Sequence, residues 1–143
     1  MSMILWLPMI DDFRNNGILN PPISHTASIA NGGLLGSGCA RFNNSNITIG
    51  GEIKKFINGA FSFSFWTKII SWNADSQTIV SVVTNNSTEC FSFKRNGTGN
   101  TFIFSANNGT SSANCSSGTV SLSTWIYFAC VYDGTRLMVY QNG

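Results

Sequence analysis

Apolar residues along this chain recur with a period of two and in short runs. The clearest case is Phe61-Ser62-Phe63-Ser64-Phe65-Trp66-Thr67-Lys68-Ile69. On a strand it places Phe61, Phe63, Phe65 and Ile69 on one side and Ser62, Ser64, Trp66 and Lys68 on the other. A helix would scatter the three phenylalanines around its axis, whereas a sheet buries them on one face, each removing about 150 Å² or more from water. The second strong pattern is the last part of the chain. Trp125 to Tyr132 is almost continuously apolar, Asp133-Gly134-Thr135 is turn chemistry, and Leu137 to Tyr140 is a second apolar run. Asn142-Gly143 follows as a hairpin-turn signal, since both residues tolerate positive φ.

Elsewhere the strands are shorter. Ile4 to Met9 predicts a first strand that ends at, or is kept to an edge by, Pro8. Asp11 to Gly38 is a long connection rich in Gly, Pro and Asn, with a weak strand at His25 to Ile29; it is too long for plain loop in a compact domain. Cys39 to Phe42 and Asn46 to Ile49 predict two short strands around an Asn-rich turn. Glu52 to Phe56 suits a single helical turn. Thr78 to Thr84, Cys90 to Lys94 and Asn100 to Ser105 read as strands. Thr110 to Gly118, small and polar, reads as a loop, and Thr119 to Leu122 as a brief strand or turn. Short strands at even spacing without crossover helices predict an all-β, antiparallel two-sheet sandwich or jelly roll. At 143 residues the chain is expected to form one domain over 1–143.

Composition narrows the function. Hydrophobic residues make up 43% and charged residues only 10%, so solubility rests on Asn, Ser, Thr and Gly. This suits a protein that works outside a cell or on a particle surface. The net charge of +2 is scattered, with Lys54-Lys55 and Lys94-Arg95 the adjacent basic pairs. A nucleic-acid partner is not expected, because phosphate contacts need a basic stripe. Membrane insertion is not expected either, since no run approaches the ~20 apolar residues a span requires. Ile4 to Ile10 lacks the basic flank and cleavage site of a signal peptide. The four cysteines, Cys39, Cys90, Cys115 and Cys130, show no CxxC spacing, and the lone His25 does not complete a zinc set, so no metal or other cofactor is predicted. Cys39 and Cys130 read as small core residues, and a Cys90–Cys115 bridge is possible. Asn-x-Ser/Thr triplets at Asn43, Asn46, Asn85, Asn86, Asn96, Asn108 and Asn114 admit N-glycosylation, but chance in an Asn/Ser/Thr-rich chain is preferred.

Three segments together resemble a known family: Gly38 to Phe42 with Asn46 to Ile49, Phe61 to Lys68, and Trp125 to Thr135 with Leu137 to Gly143. Their order is similar to the laminin G-like branch of the concanavalin A-like lectin/glucanase superfamily, in which a Trp-initiated strand, a Tyr-Asp-Gly turn and a return strand ending in Asn-Gly form a recurrent hairpin. Leu5-Trp6-Leu7-Pro8 leading to Arg14-Asn15-Asn16-Gly17 is similar to the start of such domains in bacteriophage structural proteins. The resemblance implies a jelly roll of two packed sheets. It also implies strands beyond Asn142-Gly143, so the sandwich is expected to lack its last strands, with Tyr140 and its neighbours at an edge that another chain or segment covers.

Glucanases of the superfamily carry a Glu-x-Asp-x-x-Glu strand, whose spacing puts carboxylates on one face for paired acid and nucleophile roles. The acids here are Asp11, Asp12, Glu52, Asp75, Glu89 and Asp133; none makes that pattern, and no catalytic residue is assigned. Sugar binding in this fold uses an aromatic to stack on a pyranose with amides and carboxylates for the hydroxyls. Trp72, Asn73 and Asp75 supply that mixture as the candidate carbohydrate site. In the competing reading, Trp72 packs under its loop and Asp75 caps a turn. Trp66 and Trp125 lie inside strand patterns and are expected in the core, and Asp133 is expected to shape its own turn. The function this predicts is a non-enzymatic structural or adhesion module on the surface of a virus particle, a phage tail or capsid decoration. Its partners would be other virion proteins or a strand-donating chain, with weak binding of surface glycans. The alternative is a secreted, extracellular carbohydrate-binding lectin domain.

Overall fold

The computed structural model describes residues 23–31, 38–42, 47–49, 59–72, 77–83, 89–107 and 111–143. Eleven antiparallel strands lie among them, and no helix. The expected first strand at Ile4 to Met9 and helical turn at Glu52 to Phe56 fall outside the described residues. Contacts divide the chain into two units, Met1–Phe56 and Ile57–Gly143.

In the first unit, β1 (Ile23–His25) pairs with β4 (Ile47–Ile49), and β2 (Ser28–Asn31) pairs with β3 (Gly38–Arg41). The weak strand expected at His25 to Ile29 is in fact two strands separated by Thr26 and the buried Ala27. The two strands around the Asn-rich turn exist, but they do not pair with each other. Each pairs with an earlier strand, so that β2–β3 is nested within β1–β4.

The second unit holds two sheets. One is three-stranded in the order β11-β10-β5, built from β5 (Phe61–Lys68), β10 (Trp125–Tyr132) and β11 (Leu137–Gln141). The other is four-stranded in the order β6-β7-β8-β9, built from β6 (Thr78–Val83), β7 (Glu89–Arg95), β8 (Phe102–Asn107) and β9 (Ser112–Ser116). β5 alternates half-buried and exposed residues along its first six positions, as its sequence requires. β10 alternates likewise, with Ile126, Phe128 and Cys130 buried. Phe128 lies opposite Phe65, and Cys130 lies between Phe63 and Val139.

The inner faces meet ring on ring. Phe93 stacks on Phe102 at 5.0 Å and touches Phe128 at 5.0 Å, while Phe65 meets Phe93 edge-on at 5.6 Å and Phe63 meets Phe104 edge-on at 5.5 Å. Offset and edge contacts of this kind add to the area term in aromatic cores. Phe93, Phe102, Phe104 and Phe128 are fully buried, with Val120 and Ile126 beside them. The protein is thus all-β, and this unit is an antiparallel two-sheet sandwich of jelly-roll type.

Five expectations are corrected. The stretch Thr110 to Gly118 contains the strand β9, held by pairing with β8 from Ile103↔Ser116 to Asn107↔Ser112. Trp66 and Trp125 are not core residues: Trp66 is 48% exposed, and Trp125 is half-buried opposite Lys68, because alternation sends both side chains to the face opposite Phe63 and Phe65. Cys39 is half-buried rather than core, and none of the four cysteines is in a disulfide. Cys90 and Cys115 cannot bridge across the sheet. Cys115 sits opposite the core residue Phe104 and shares its inward face, whereas Cys90 precedes the buried Phe91 and points outward. Cys130 is fully buried as expected. Burial, and then the nearby Cys115 thiol, pushes its pKa from 9.0 up to about 12.

Candidate functional site

Three surfaces of the second unit carry groups that could meet a ligand. The first is the rim that holds Trp72. The four residues after β7, Asn96-Gly97-Thr98-Gly99, form a tight turn. Gly99 N donates to Asn96 O at 3.0 Å, and Gly97 takes φ +54°, which glycine adopts without a Cβ penalty. Arg95 is almost wholly buried at the entry to this turn. Its Nε donates to Gly99 O at 2.8 Å and a terminal nitrogen donates to Thr98 O at 2.7 Å. The guanidinium lies 4.4 Å from the centre of the Trp72 ring, a cation–π distance, and the indole packs against Phe102 at 5.9 Å. Trp72 is half-buried and is clamped between the core and this cation. Asn73 and Asp75, the other members of the candidate carbohydrate site, lie outside the described residues, so of the three only Trp72 is placed. The Arg95 partner is not visible in the sequence, because the contact joins the loop after β5 to the end of β7.

The second surface is the outer face of the four-stranded sheet. A shallow hollow of about 210 Å³ is lined there by Glu89, Lys94, Ser105, Asn107 and Ser112 with Cys90. Glu89 Oε1 accepts from Ser92 Oγ at 2.7 Å and from Lys94 Nζ at 3.2 Å. The Ser92 hydroxyl holds the Glu89 carboxyl below its usual range; partial burial opposes this, and Lys94 adds to it. The hollow is smaller than the roughly 300 Å³ at which sites for drug-sized ligands begin, and it is polar.

The third surface is the outer face of the three-stranded sheet. The register sets it out in rows. Lys68 lies opposite Trp125, Trp66 opposite Tyr127, Ser64 opposite Ala129 and then Tyr140, and Ser62 opposite Val131 and then Met138. The Trp66 and Tyr127 rings are 5.4 Å apart and inclined at 51°. Lys68 Nζ sits 5.5 Å from the centre of the Trp125 ring. Trp66 and Tyr140 are about half exposed, at 48% and 47%. The sequence pattern had already put Trp66 and Lys68 on this face. What it lacked was the pairing that brings Tyr127 and Tyr140 alongside.

The two carboxylates among the described residues are both held in local hydrogen bonds. Glu89 accepts from Ser92 and Lys94. Asp133 Oδ1 accepts from Arg136 N and Thr135 N, both at 2.7 Å, and these bonds hold its carboxyl below the usual range. Asp133 therefore shapes the β10–β11 turn, in which Gly134 has φ +99°. At the far end of β11, Asn142 (φ +61°) and Gly143 (φ +107°) adopt the left-handed pair of a two-residue hairpin turn. Asn142 also holds the end of β10, accepting from Tyr127 N through Oδ1 and donating its own N–H to Tyr127 O. Among the described residues β11 is an edge strand, and no helix is long and apolar enough to cross a membrane.

An antiparallel sandwich with an aromatic core, whose candidate ligand groups lie on its sheet faces and rim, has the architecture of lectin-like and adhesion modules. A family model described as the concanavalin A-like lectin/glucanases superfamily matches residues 41–143, and the chain belongs to that superfamily. No curated protein and no solved structure matches it significantly.

Proposed function

We propose that the protein is a non-enzymatic adhesion module that meets glycans through its surface, carried on a virus particle. The observation that favours the non-enzymatic part is the state of the two side-chain carboxylates among the described residues. Retaining and inverting glycosidases need two carboxyl groups flanking one bond, about 5–5.5 Å or 6.5–9.5 Å apart. Here Asp133 is bound into a turn at the end of one sheet, and Glu89 is tied to Lys94 on the other. The placement on a particle rests on the likeness of the N-terminal segment to phage structural proteins and on the uncharged polar composition. In that setting the edge of β11 is the place where another virion protein could donate a strand. The reading is tested by screening the whole chain against a glycan array and for release of reducing sugar. Binding at μM to mM affinity without sugar release is expected; turnover of any glycan would overturn it. Immunogold labelling that finds the protein on cells or secreted, and never on particles, would replace the virion setting with that of a secreted lectin.

A further inference from the structure

The adhesion reading gives the thiols no role, yet two of them face inward from opposite sheets. We propose that Cys115 and Cys130 join as a disulfide in an oxidising compartment, a staple that fastens the edge strand β9 to the three-stranded sheet. The structure describes the dithiol form. The proposal stands apart from the glycan reading and from the particle setting.

Register brings both side chains to the layer between the sheets. Cys130 is fully buried, between Phe63 on β5 and Val139 on β11. Cys115 lies opposite Phe104 and shares its inward face, as opposite residues of an antiparallel pair do. The Phe63 and Phe104 rings meet edge-on at 5.5 Å, so the two cysteines flank one contact, each from its own sheet. The sheets also converge on this side. Packed sheets stand about 10 Å apart, beyond the roughly 4.4–6.8 Å between Cα atoms that a disulfide spans. Here β11 has Cα atoms within 8 Å of Cα atoms in both β8 and β9. Its end is tied to the segment after β9, where Gln141 Nε2 donates to Thr119 O at 3.0 Å. Ala113 and Cys115 are the residues of β9 on the face of Ala106 and Phe104, and side chains this small permit the approach. The Cys115 thiol is near enough to add to the upward displacement of the Cys130 pKa. Cys90, the remaining cysteine of this unit, points outward.

The oxidant is a low-molecular-weight disulfide such as oxidised glutathione. Cys115 is half-buried and reacts first: its thiolate attacks one glutathione sulfur, forms a mixed disulfide and releases one reduced glutathione. The Cys130 thiol then gives up its proton, attacks Cys115 Sγ and expels the second glutathione as a thiolate, which takes a proton. Two protein thiols are oxidised, and one glutathione disulfide is reduced to two thiols. The bond supplies what β9 lacks. Its other side chains are exposed, and backbone pairing with β8 holds it in place. The loop closed, Ser116 to Ala129, is about fifteen residues long, and closing it removes freedom from the unfolded chain.

The test is equilibration of the folded whole chain, and of its Cys39→Ser/Cys90→Ser variant, in mixtures of reduced and oxidised glutathione. Samples are alkylated in denaturant and mapped by mass spectrometry without reduction. We expect one peptide pair joined through Cys115 and Cys130, two hydrogens lighter than its separate parts, in the parent and in the double variant alike. The oxidised chain should melt roughly 10 °C above the reduced one, and amide exchange in β9 should slow. Cys115→Ser should keep the melt of the reduced parent and lose the shift on oxidation. Cys115 carrying glutathione while Cys130 stays open to alkylation, after equilibration, overturns the proposal. So does a bridge from either residue to Cys90 or Cys39, or a Cys115–Cys130 bond that lowers the melt.

Discussion

The sandwich has two solvent faces built by the same rule and furnished differently. On the outer side of the four-stranded sheet lie Ser81, Ile103, Ser105 and Lys94, with Glu89 folded back over the fully buried Ser92. On the three-stranded sheet they are Trp66, Trp125, Tyr127, Met138 and Tyr140, with Ser62, Ser64 and Lys68. Both sheets bury a layer of phenylalanine on the inside, so the demands of the core do not explain the contrast. A half-buried sheet is satisfied by polar residues on its outer face, and the four-stranded sheet follows that rule. The three-stranded sheet departs from it, with half-exposed aromatic residues in contact with one another.

The comparison is most severely tested from within. Phe128→Ala removes a fully buried ring that touches Phe65, Phe93 and Phe102 and is expected to lower stability by about 3–5 kcal/mol in urea unfolding. If the loss were instead near that of Trp66→Ala, inner and outer faces would not differ as described. Arg95→Met comes next. It deletes two hydrogen bonds from a charged donor and the contact with Trp72, at a cost of about 2 kcal/mol, and thermal melts should show it with a change in Trp72 emission.

Cys130 gives a signed pH dependence. Its folded pKa, near 12, exceeds its unfolded value near 9.0, so its contribution is complete below pH 9 and is lost as pH rises toward 12, by about 1.4 kcal/mol per unit at most. Cys130→Ala should remove this alkaline component of a pH-dependent melt; persistence of the full component would place the titrating group elsewhere. The smallest effects belong to the polar face. Glu89 has a depressed pKa, so its contribution is present above the normal carboxyl range and fades as pH falls through it. The half-exposed pair with Lys94 makes Glu89→Gln a change of about 0–1 kcal/mol by urea unfolding.

The sequence showed most where a strand's own side chains specify it. Phe61 to Ile69 and Trp125 to Tyr132 announce strand, face and core together, and Asp133-Gly134 and Asn142-Gly143 announce their turns. It showed little where the specification comes from a partner. β9 has small side chains that stay exposed apart from Cys115, so its own pattern is that of a loop, and its hydrogen bonds to β8 make it a strand. β3 and β4 are close in sequence but pair with earlier strands, a choice that depends on nonlocal contacts. For Trp66, alternation was the better guide: it placed the indole with Ser62 and Ser64, while aromatic character alone suggested burial. Of the candidate site, Trp72 was identified as a residue but not its engagement with Arg95, and of the aromatic face only the side holding Trp66 and Lys68 was legible, since Tyr127 and Tyr140 join it through the register.

The clamp on Trp72 also has an optical consequence. Trp66 faces solvent, whereas Trp72 lies against a guanidinium and a buried phenyl ring. These indoles should differ in emission maximum, in lifetime and in access to acrylamide. With Trp6 and Trp125 replaced by phenylalanine, the remaining two indoles serve as a pair of dyes: one reports events on the outer face, the other the integrity of the turn at Gly97, and neither requires a label.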